Sequence, residues 1–231
     1  MTGTIINIIT VLIGSSLGLL LRTRMNESYK TIILQGIGIL TLVIGLQMAF
    51  KTENILLVLA SLLLGAITGQ WIRIDLQLEK LAEYLKKKFS SQNERYFSEG
   101  FITASIIFCV GPMTILGAIN DGLSGDYELL AIKSVLDGFT SIALTASFGI
   151  GVMLSVITIL VIQGGISFSA FFVENILTES IINEMTAVGG LIIIGIGLVI
   201  LKISEIKVAN FLPGLIYAPV IFLILNYLNL I

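Results

Sequence analysis

Apolar runs long enough to cross a lipid bilayer follow one another along almost the whole chain, and most charged residues fall between them. A hydrocarbon layer of about 30 Å is crossed by roughly 20 predominantly apolar residues in a helix. Hydrophobic residues make up 56% of the 231, only 12% are charged, and the mean hydropathy is +1.03. A soluble domain could not bury that much apolar surface. The sequence therefore predicts an all-α, polytopic transmembrane bundle that forms a single integral membrane domain over 1–231.

The apolar runs predict eight transmembrane spans. These cover residues 4–22, 32–50, 55–73, 101–119, 130–147, 150–171, 186–202 and 208–228. The fifth span is the least regular, because it carries Lys133 and Asp137 and is followed almost at once by the sixth. Two structures are open for it: a full crossing, and a re-entrant or broken helix.

Basic residues predict the orientation, since short cytoplasmic loops of membrane proteins are enriched in lysine and arginine. With both termini outside, eleven of the thirteen basic residues lie in cytoplasmic loops, and only Lys51 and Lys133 do not. The predicted outer loops carry acidic residues: Asp121, Asp126, Glu128, Glu174, Glu179 and Glu184. Met1 leads into the first apolar run without a basic region or a cleavage site, so we expect a retained span and no signal peptide.

The longest polar segment, residues 75–95, is predicted to be a cytoplasmic amphipathic helix. Its apolar residues recur at helical spacing: Leu78, Leu81, Ala82, Leu85 and Phe89. Lysines lie beside them, which favours a helix on the surface of the anionic inner leaflet. A helix that binds a partner protein is the alternative interpretation.

Composition excludes several classes of function. The net charge of −2 gives no basic surface for nucleic acid, and the absence of histidine removes imidazole chemistry. The one cysteine, Cys109, lies in an apolar run and is expected to be a small buried hydrophobic residue. Neither an HExxH helix, a GxSxG elbow nor a pair of mid-membrane aspartates is present. We therefore expect no enzyme activity and no cofactor.

Spans one to three resemble spans six to eight. Matching pairs include Gly3 with Gly151, Thr10 with Thr158, Gly38 with Gly190, Gly45 with Gly197, and Gly65 with Gly214. An offset of five crossings would give the two sets opposite polarity in the membrane. This pattern predicts an inverted repeat, the construction of many secondary transporters.

The fourth span contains an unusual interruption. Gly111 and Pro112 stand inside an apolar helix, and Met113 and Thr114 follow. Proline has no amide hydrogen, so backbone carbonyls are freed at a depth where water cannot satisfy them. Broken helices of transporters bind cargo in this way, although a simple proline kink is equally open. Asn120 and Asp121, further along, are candidate ligands.

The fifth span carries two ionisable residues one helical turn apart. An ionised group in the bilayer costs at least about 2.5 kcal/mol, so it usually faces the protein interior. Lys133 is expected to reach the outer surface, whereas Asp137 is either a coupling group for protons or cations or a structural partner of Lys133. At 1.5 Å per residue, Pro112, Asp137 and Gln163 all lie roughly 10 to 12 Å below the outer surface, and Thr10 is nearly as deep.

Four stretches of sequence resemble a known family. They are the amino-terminal GTIIN run, FCVGPMTILGAINDGLSGD over 108–126, KSVLDG over 133–138, and the Gln163–Gly164 pair. The chain is similar over essentially its whole length to bacterial inner-membrane proteins of the YdfK and YqgA type, a family of unknown function. This resemblance implies a multi-pass protein of the bacterial plasma membrane that is described as a possible transporter, and it names no substrate or mechanism.

These patterns favour a small secondary transporter or ion-coupled permease, with a polar site in the outer half of spans four to six. In this hypothesis Asp137 is the coupling group, and Pro112, Met113 and Thr114 expose the backbone. Further candidate ligands for a small solute or cation are Thr10, Asn120, Asp121, Lys133 and Gln163. The alternative is a scaffold or regulatory subunit that transports nothing. A homodimer suits so small a permease, and the identity of any metal cargo stays open.

Overall fold

The computed structural model describes residues 1–23, 26–89, 96–173 and 177–228 and is helical throughout, with no strand in these ranges. The α-helices are α1 Thr2–Arg22, α2 Glu27–Ala49, α3 Ile55–Ile72, α4 Ile74–Phe89, α5 Phe97–Cys109, α6 Pro112–Leu123, α7 Glu128–Phe148, α8 Val156–Val173, α9 Glu179–Ile200 and α10 Gly214–Tyr227. Two 3₁₀ turns, Met153–Ser155 and Val208–Phe211, precede α8 and α10. The predicted all-α polytopic bundle is confirmed.

In the part of the chain that the structure describes, seven helical segments are long and apolar enough to cross a membrane. The predicted fourth span consists of α5 and α6, which meet at a bend of 62° and bring the number of spans to eight if they count as one. The predicted fifth span is one unbroken helix, α7. The seventh begins seven residues before its predicted start, at Glu179, because acidic residues in a first turn favour a helix although they lower its hydropathy.

The chain packs as two compact units. Unit 1 contains Met1–Ile37 and Leu78–Glu174, and unit 2 contains Gly38–Gln77 and Asn175–Ile231. The expectation of a single integral membrane domain stays a prediction.

In unit 1, α1 packs closely along α7. A Cβ atom on Gly3 would approach the Leu130 side chain to 2.5 Å, and one on Gly18 would approach Cβ of Thr145 to 2.8 Å. Residue numbers rise together on both helices, so α1 and α7 run parallel. Glycine on this face of α1 lets the two backbones approach, as is typical of membrane helices. The opposite face of α1 exposes Ile5 and Ile9, as expected for a face toward lipid.

The broken pair α5–α6 lies alongside α8 and runs in the same direction. Three contacts mark the path: Phe97 with Gly151, Ser105 with Thr158, and Gly122 with Ser167. Because the numbers rise together, α6 continues in the direction of α5 after the bend. The pair therefore has the course of one broken span and does not fold back as a re-entrant loop would.

In unit 2, glycines bring antiparallel helices together. A Cβ on Gly45 would lie 2.8 Å from the carbonyl oxygen of Gly190, so α2 and α9 almost touch at their backbones. Gly65 of α3 meets Gly214 of α10 in a similar way.

The predicted amphipathic helix is α4, but its apolar face does not lie wholly on lipid. Ala82 and Leu85 are buried and pack with Phe97 and Phe101 of α5. The same periodicity also suits packing on a neighbouring helix, and the position of α4 on the inner leaflet stays a prediction. Residues 90–95 of the predicted segment lie outside the described residues, as do the predicted loop charges Arg24 and Glu174.

Candidate functional site

The carbonyl group of Phe108 loses its helical partner at the α5–α6 break. In a continuous helix it would accept the N–H of the residue four positions later, which here is Pro112 and has no N–H. Instead, the Phe108 oxygen accepts a hydrogen bond from Nζ of Lys133 at 2.7 Å. The Thr114 hydroxyl also donates to it, at 3.3 Å. The freed carbonyl is thus bound by a side-chain cation.

Lys133 and Asp137 form a buried ion pair on α7. Nζ of Lys133 bonds Oδ2 of Asp137, and the two residues are only 6% and 7% exposed. The prediction that Lys133 reaches the outer surface is wrong. Counting residues along a helix gives a depth but not a direction, and this side chain points toward the Phe108 carbonyl.

Asn7 of α1 joins the ion pair to α8, and the sequence analysis did not single it out. Its amide nitrogen donates to Oδ2 of Asp137 and to Oε1 of Gln163, each at 3.0 Å. Nε2 of Gln163 in turn donates to the Thr4 hydroxyl at 3.2 Å. The Asn7 residue is fully buried, and its own oxygen, Oδ1, has no hydrogen-bond partner.

These groups form one buried polar network. It consists of the side chains of Thr4, Asn7, Thr114, Lys133, Asp137 and Gln163 and the carbonyl group of Phe108. Five helices of unit 1 contribute to it, and its formal charge is zero. Buried polar networks of this kind hold helices in register, and an acceptor left unpaired in them costs about 1–3 kcal/mol.

The structure brings only some of the predicted site residues into this network. Asp137 and Gln163 converge through Asn7, whereas Pro112 and Met113 are half-buried at the start of α6. The Thr10 hydroxyl donates back to the carbonyls of Ile6 and Asn7 in its own helix, and it borders an open apolar groove between α1 and α7.

Two further predicted ligands lie outside the network. Asn120 is exposed. The Asp121 carboxylate is buried, and it accepts hydrogen bonds from the backbone N–H groups of Thr2 and Gly3 at 3.1 and 3.0 Å. It also lies 3.1 Å from the Met1 nitrogen. Asp121 therefore satisfies the amide groups at the start of α1, as an acidic residue near a helix N-terminus does.

The chemistry that the network offers is oxygen ligation and proton exchange. Among the described residues, no three His, Cys, Asp or Glu side chains converge on a metal position. The network instead holds one carboxylate, one backbone carbonyl, amide and hydroxyl oxygens, and one amine. Hard cations prefer oxygen ligands of this kind.

Comparison with known proteins gives a family but no known activity. The model of a family described as "Protein of unknown function (DUF554)" matches residues 2–223. The chain is 33% identical to the uncharacterized membrane protein YdfK of Bacillus subtilis, over all of this chain and 99% of the relative. It is 31% identical to the uncharacterized protein YqgA of Escherichia coli, over 94% of each chain. No solved structure matches.

Proposed function

We propose that this chain, which belongs to the DUF554 family, is a small ion-coupled permease of the bacterial plasma membrane. The observation that carries the proposal is the Lys133–Asp137 pair, buried near the middle of an apolar helix and bound to a carbonyl that Pro112 leaves free. Charges at such positions are costly and mark ion pathways and proton relays in membrane proteins. Asp137 is the coupling group.

An inverted repeat would supply the two-sided access that a permease needs. Contacts in unit 2 support it. The sequence match pairs Gly38 with Gly190 and Gly45 with Gly197. If a two-fold axis relates the two halves, each glycine is replaced by its match, so a contact between Gly45 and Gly190 implies a second contact between Gly197 and Gly38. Both exist: the Gly190 oxygen lies 2.8 Å from a Cβ on Gly45, and the Gly38 oxygen lies 3.1 Å from a Cβ on Gly197.

The first matched pair of helices has the same relation. Thr4 and Asn7 of α1 both contact Gln163 of α8, so the two helices are neighbours. Helix α1 is parallel to α7, and α8 runs back from the end of α7 in the opposite direction. Helices α1 and α8 are therefore antiparallel. Matched helices thus pair with each other in opposite directions, as an inverted repeat requires.

The proposed orientation places both termini outside. It rests on the distribution of basic residues, of which Arg22, Arg73 and Lys86 to Lys88 lie in predicted cytoplasmic connections. Fusion of a reporter enzyme to either terminus tests it, because only an outside terminus would be accessible in intact cells.

Flux into liposomes tests transport. A thermal-shift survey of the purified protein against cations and metabolites selects the solutes, since a ligand at a hundred times its dissociation constant adds about 2.7 kcal/mol. Uptake by the wild-type protein should be lost in Asp137→Asn. The double variant Lys133→Met with Asp137→Leu should also be inactive, and it removes both charges together so that neither is left buried alone.

Glu184→Gln is the matched control, because it neutralises a buried carboxylate of unit 2 that lies outside the network. Flux that persists in the double variant would overturn the proposal. A scaffold that transports nothing would instead co-purify with a partner and tolerate Asp137→Asn without loss of that partner.

A further inference from the structure

Two buried hydroxyl groups between α1 and α7 have no hydrogen-bond partner among the described residues. They belong to Ser15 of α1 and Thr145 of α7, and both residues are fully buried. A buried hydroxyl in a helix usually donates to a carbonyl one turn earlier, as Ser134 of α7 does to the Leu130 oxygen at 2.6 Å. The hydroxyl groups of Ser15 and Thr145 therefore need a partner that the described part of the chain does not supply.

The register of α1 against α7 places these two hydroxyl groups at the same level. Two hydrogen bonds between the helices, from Asn7 to Asp137 and from Ser141 to Val11, each join residues 130 positions apart. The two residues with unpaired hydroxyl groups have the same separation in the sequence. Because the helices are parallel, this offset keeps the two residues next to each other.

Polar groups continue from the buried network toward the ends of both helices. Ser15 follows Asn7 by eight residues in α1, and Thr145 follows Asp137 by eight residues in α7. At 1.5 Å per residue, the two unpaired hydroxyl groups lie about 12 Å from the network, with the Ser141 hydroxyl between. The series leads toward the membrane face at which α1 ends, which is the cytoplasmic face in the proposed orientation.

We propose that the interface between α1 and α7 is a hydrophilic route from the Lys133–Asp137 pair to this membrane face, and that the hydroxyl groups of Ser15 and Thr145 bind water along it. The inference rests on the proposed permease function and adds the path and the size of its cargo. Water bound along the route would satisfy both hydroxyl groups and the unpaired Oδ1 of Asn7, since a buried water makes about three hydrogen bonds.

The route is narrow enough to select small ions. A Cβ atom on Gly14 would lie 2.3 Å from the Gly138 carbonyl oxygen, and one on Gly18 would lie 2.5 Å from the Ile142 carbonyl oxygen. Backbones this close leave room for water molecules and bare ions at most, so a metabolite does not pass. Hydroxyl and carbonyl oxygens are also the ligands that hard cations prefer.

Silver ions test the route, because Ag⁺ is a small monovalent cation that binds thiol sulfur. Ser15→Cys and the control Ser16→Cys are made in a Cys109→Ala background, which removes the one native thiol. Ser16 is the next residue of α1, but it is exposed toward lipid and its hydroxyl donates to the Leu12 oxygen at 2.7 Å. The two variants therefore differ in direction and hardly in depth.

Ag⁺ on both sides of liposomes should block the thiol at position 15 at least about ten times faster than the one at position 16, because a thiol in lipid stays protonated and unreactive. The thiols that remain free are labelled with a maleimide in denaturant and counted. Equal rates at the two positions, or a faster rate at position 16, would overturn the inference.

A bulkier reagent tests the size limit. The thiol reagent methanethiosulfonate ethyltrimethylammonium carries the same charge as Ag⁺ but is much larger. It should modify Ser15→Cys no faster than Ser16→Cys. A clear preference of this reagent for position 15 would overturn the restriction to small ions.

Thr145→Cys tests the same route from α7 if Ser15→Cys does not fold, and it should show the same preference over Ser16→Cys. Wild-type protein that transports a solute, while Ag⁺ blocks positions 15 and 145 no faster than position 16, would overturn this inference and leave the permease proposal standing. Fast blocking at position 15 or 145 in a protein that moves no solute would support the hydrophilic route and overturn the permease proposal.

Discussion

Two buried carboxylates, one in each unit, lie in different settings. In unit 1, Asp137 lies near the middle of α7 and is paired with Lys133. In unit 2, Glu184 lies in the first turns of α9 and accepts hydrogen bonds from the Thr52 hydroxyl at 2.6 Å and the Glu53 N–H at 2.9 Å. Glu184 thereby binds the connection between α2 and α3, as Asp121 binds the start of α1.

In the proposed function, this difference separates structural from functional burial of charge. A carboxylate that binds backbone N–H groups at the start of a helix satisfies donors that the fold itself leaves free. The Lys133–Asp137 pair satisfies one carbonyl, but two apolar residues of similar size are often as stable as a buried ion pair. Packing of unit 1 alone therefore does not account for the pair, which supports the proposed ion-handling role.

The largest expected effect is that of Asp137→Asn on the stability of unit 1. The variant leaves the Lys133 ammonium group buried without a counter-charge, which should lower the free energy of unfolding by about 3–5 kcal/mol. Lys133→Met with Asp137→Leu should recover most of that loss. Thermal unfolding in detergent measures both. Asp137→Asn as stable as the double variant would show that Lys133 and Asp137 are not coupled. Lys80→Met, at an exposed position of α4, is the control.

Unit 2 should respond to side-chain volume more than to charge. A Cβ on Gly190 would lie 2.5 Å from the Ala49 nitrogen and 2.6 Å from the Gly45 oxygen, so Gly190→Ala should cost about 1–3 kcal/mol. A Cβ on Gly36 of α2 would meet nothing within 4 Å, so Gly36→Ala should be neutral or slightly stabilising. Equal melting temperatures for the two variants would contradict close packing between α2 and α9.

Glu184→Gln should have a smaller effect, on stability alone. The amide keeps an oxygen acceptor but loses the charge, so the hydrogen bonds from Thr52 and Glu53 weaken by about 1–2 kcal/mol in total. Flux through the protein should be unchanged. Loss of flux in a folded Glu184→Gln variant would show that the contrast between the two buried acids is mistaken.

The smallest expected effect is at Asp75, at the start of α4. Its hydrogen bond with Lys207, at 2.9 Å, holds the pKa of Asp75 below its ordinary value of 3.8. Because the pKa of Asp75 is lower in the folded state, its ionised carboxylate stabilises the fold at pH values above the ordinary pKa of 3.8. This contribution disappears as the pH falls through the pKa of the folded state. Lys207 is 60% exposed, so Asp75→Asn should cost less than about 1 kcal/mol. Urea unfolding should show this difference above about pH 5 and little of it near pH 3; a difference that grows toward acid would contradict it.

Sequence patterns predicted the spans and the helix break well, because both follow from local chemistry. Hydropathy marks segments that must lie in lipid, and Pro112 removes an amide hydrogen wherever the helix lies. The similar depths of Asp137 and Gln163 below the outer surface were enough to predict that the two residues lie close together, and Asn7 joins them in the structure. These features need no knowledge of which helices are neighbours.

The partners of each polar residue could not be predicted in the same way. Depth does not give the direction of a side chain around its helix, so it placed Lys133 within reach of the outer surface as well as among the candidate ligands, and it placed Thr10 in the site. Asn7 was missed, although a signal was available: it lies on the α1 face that carries Gly3 and Gly14. A lone amide on a small-residue face of a membrane helix indicates a contact with another helix.

Proton movement across liposomes under an imposed Na⁺ or K⁺ gradient tests the central claim that the buried pair of unit 1 handles ions. The account predicts that the wild-type protein and Glu184→Gln move protons or cations across the membrane, and that Lys133→Met with Asp137→Leu moves neither. Wild-type protein that moves neither protons nor cations, or a double variant as active as the wild type, would contradict it.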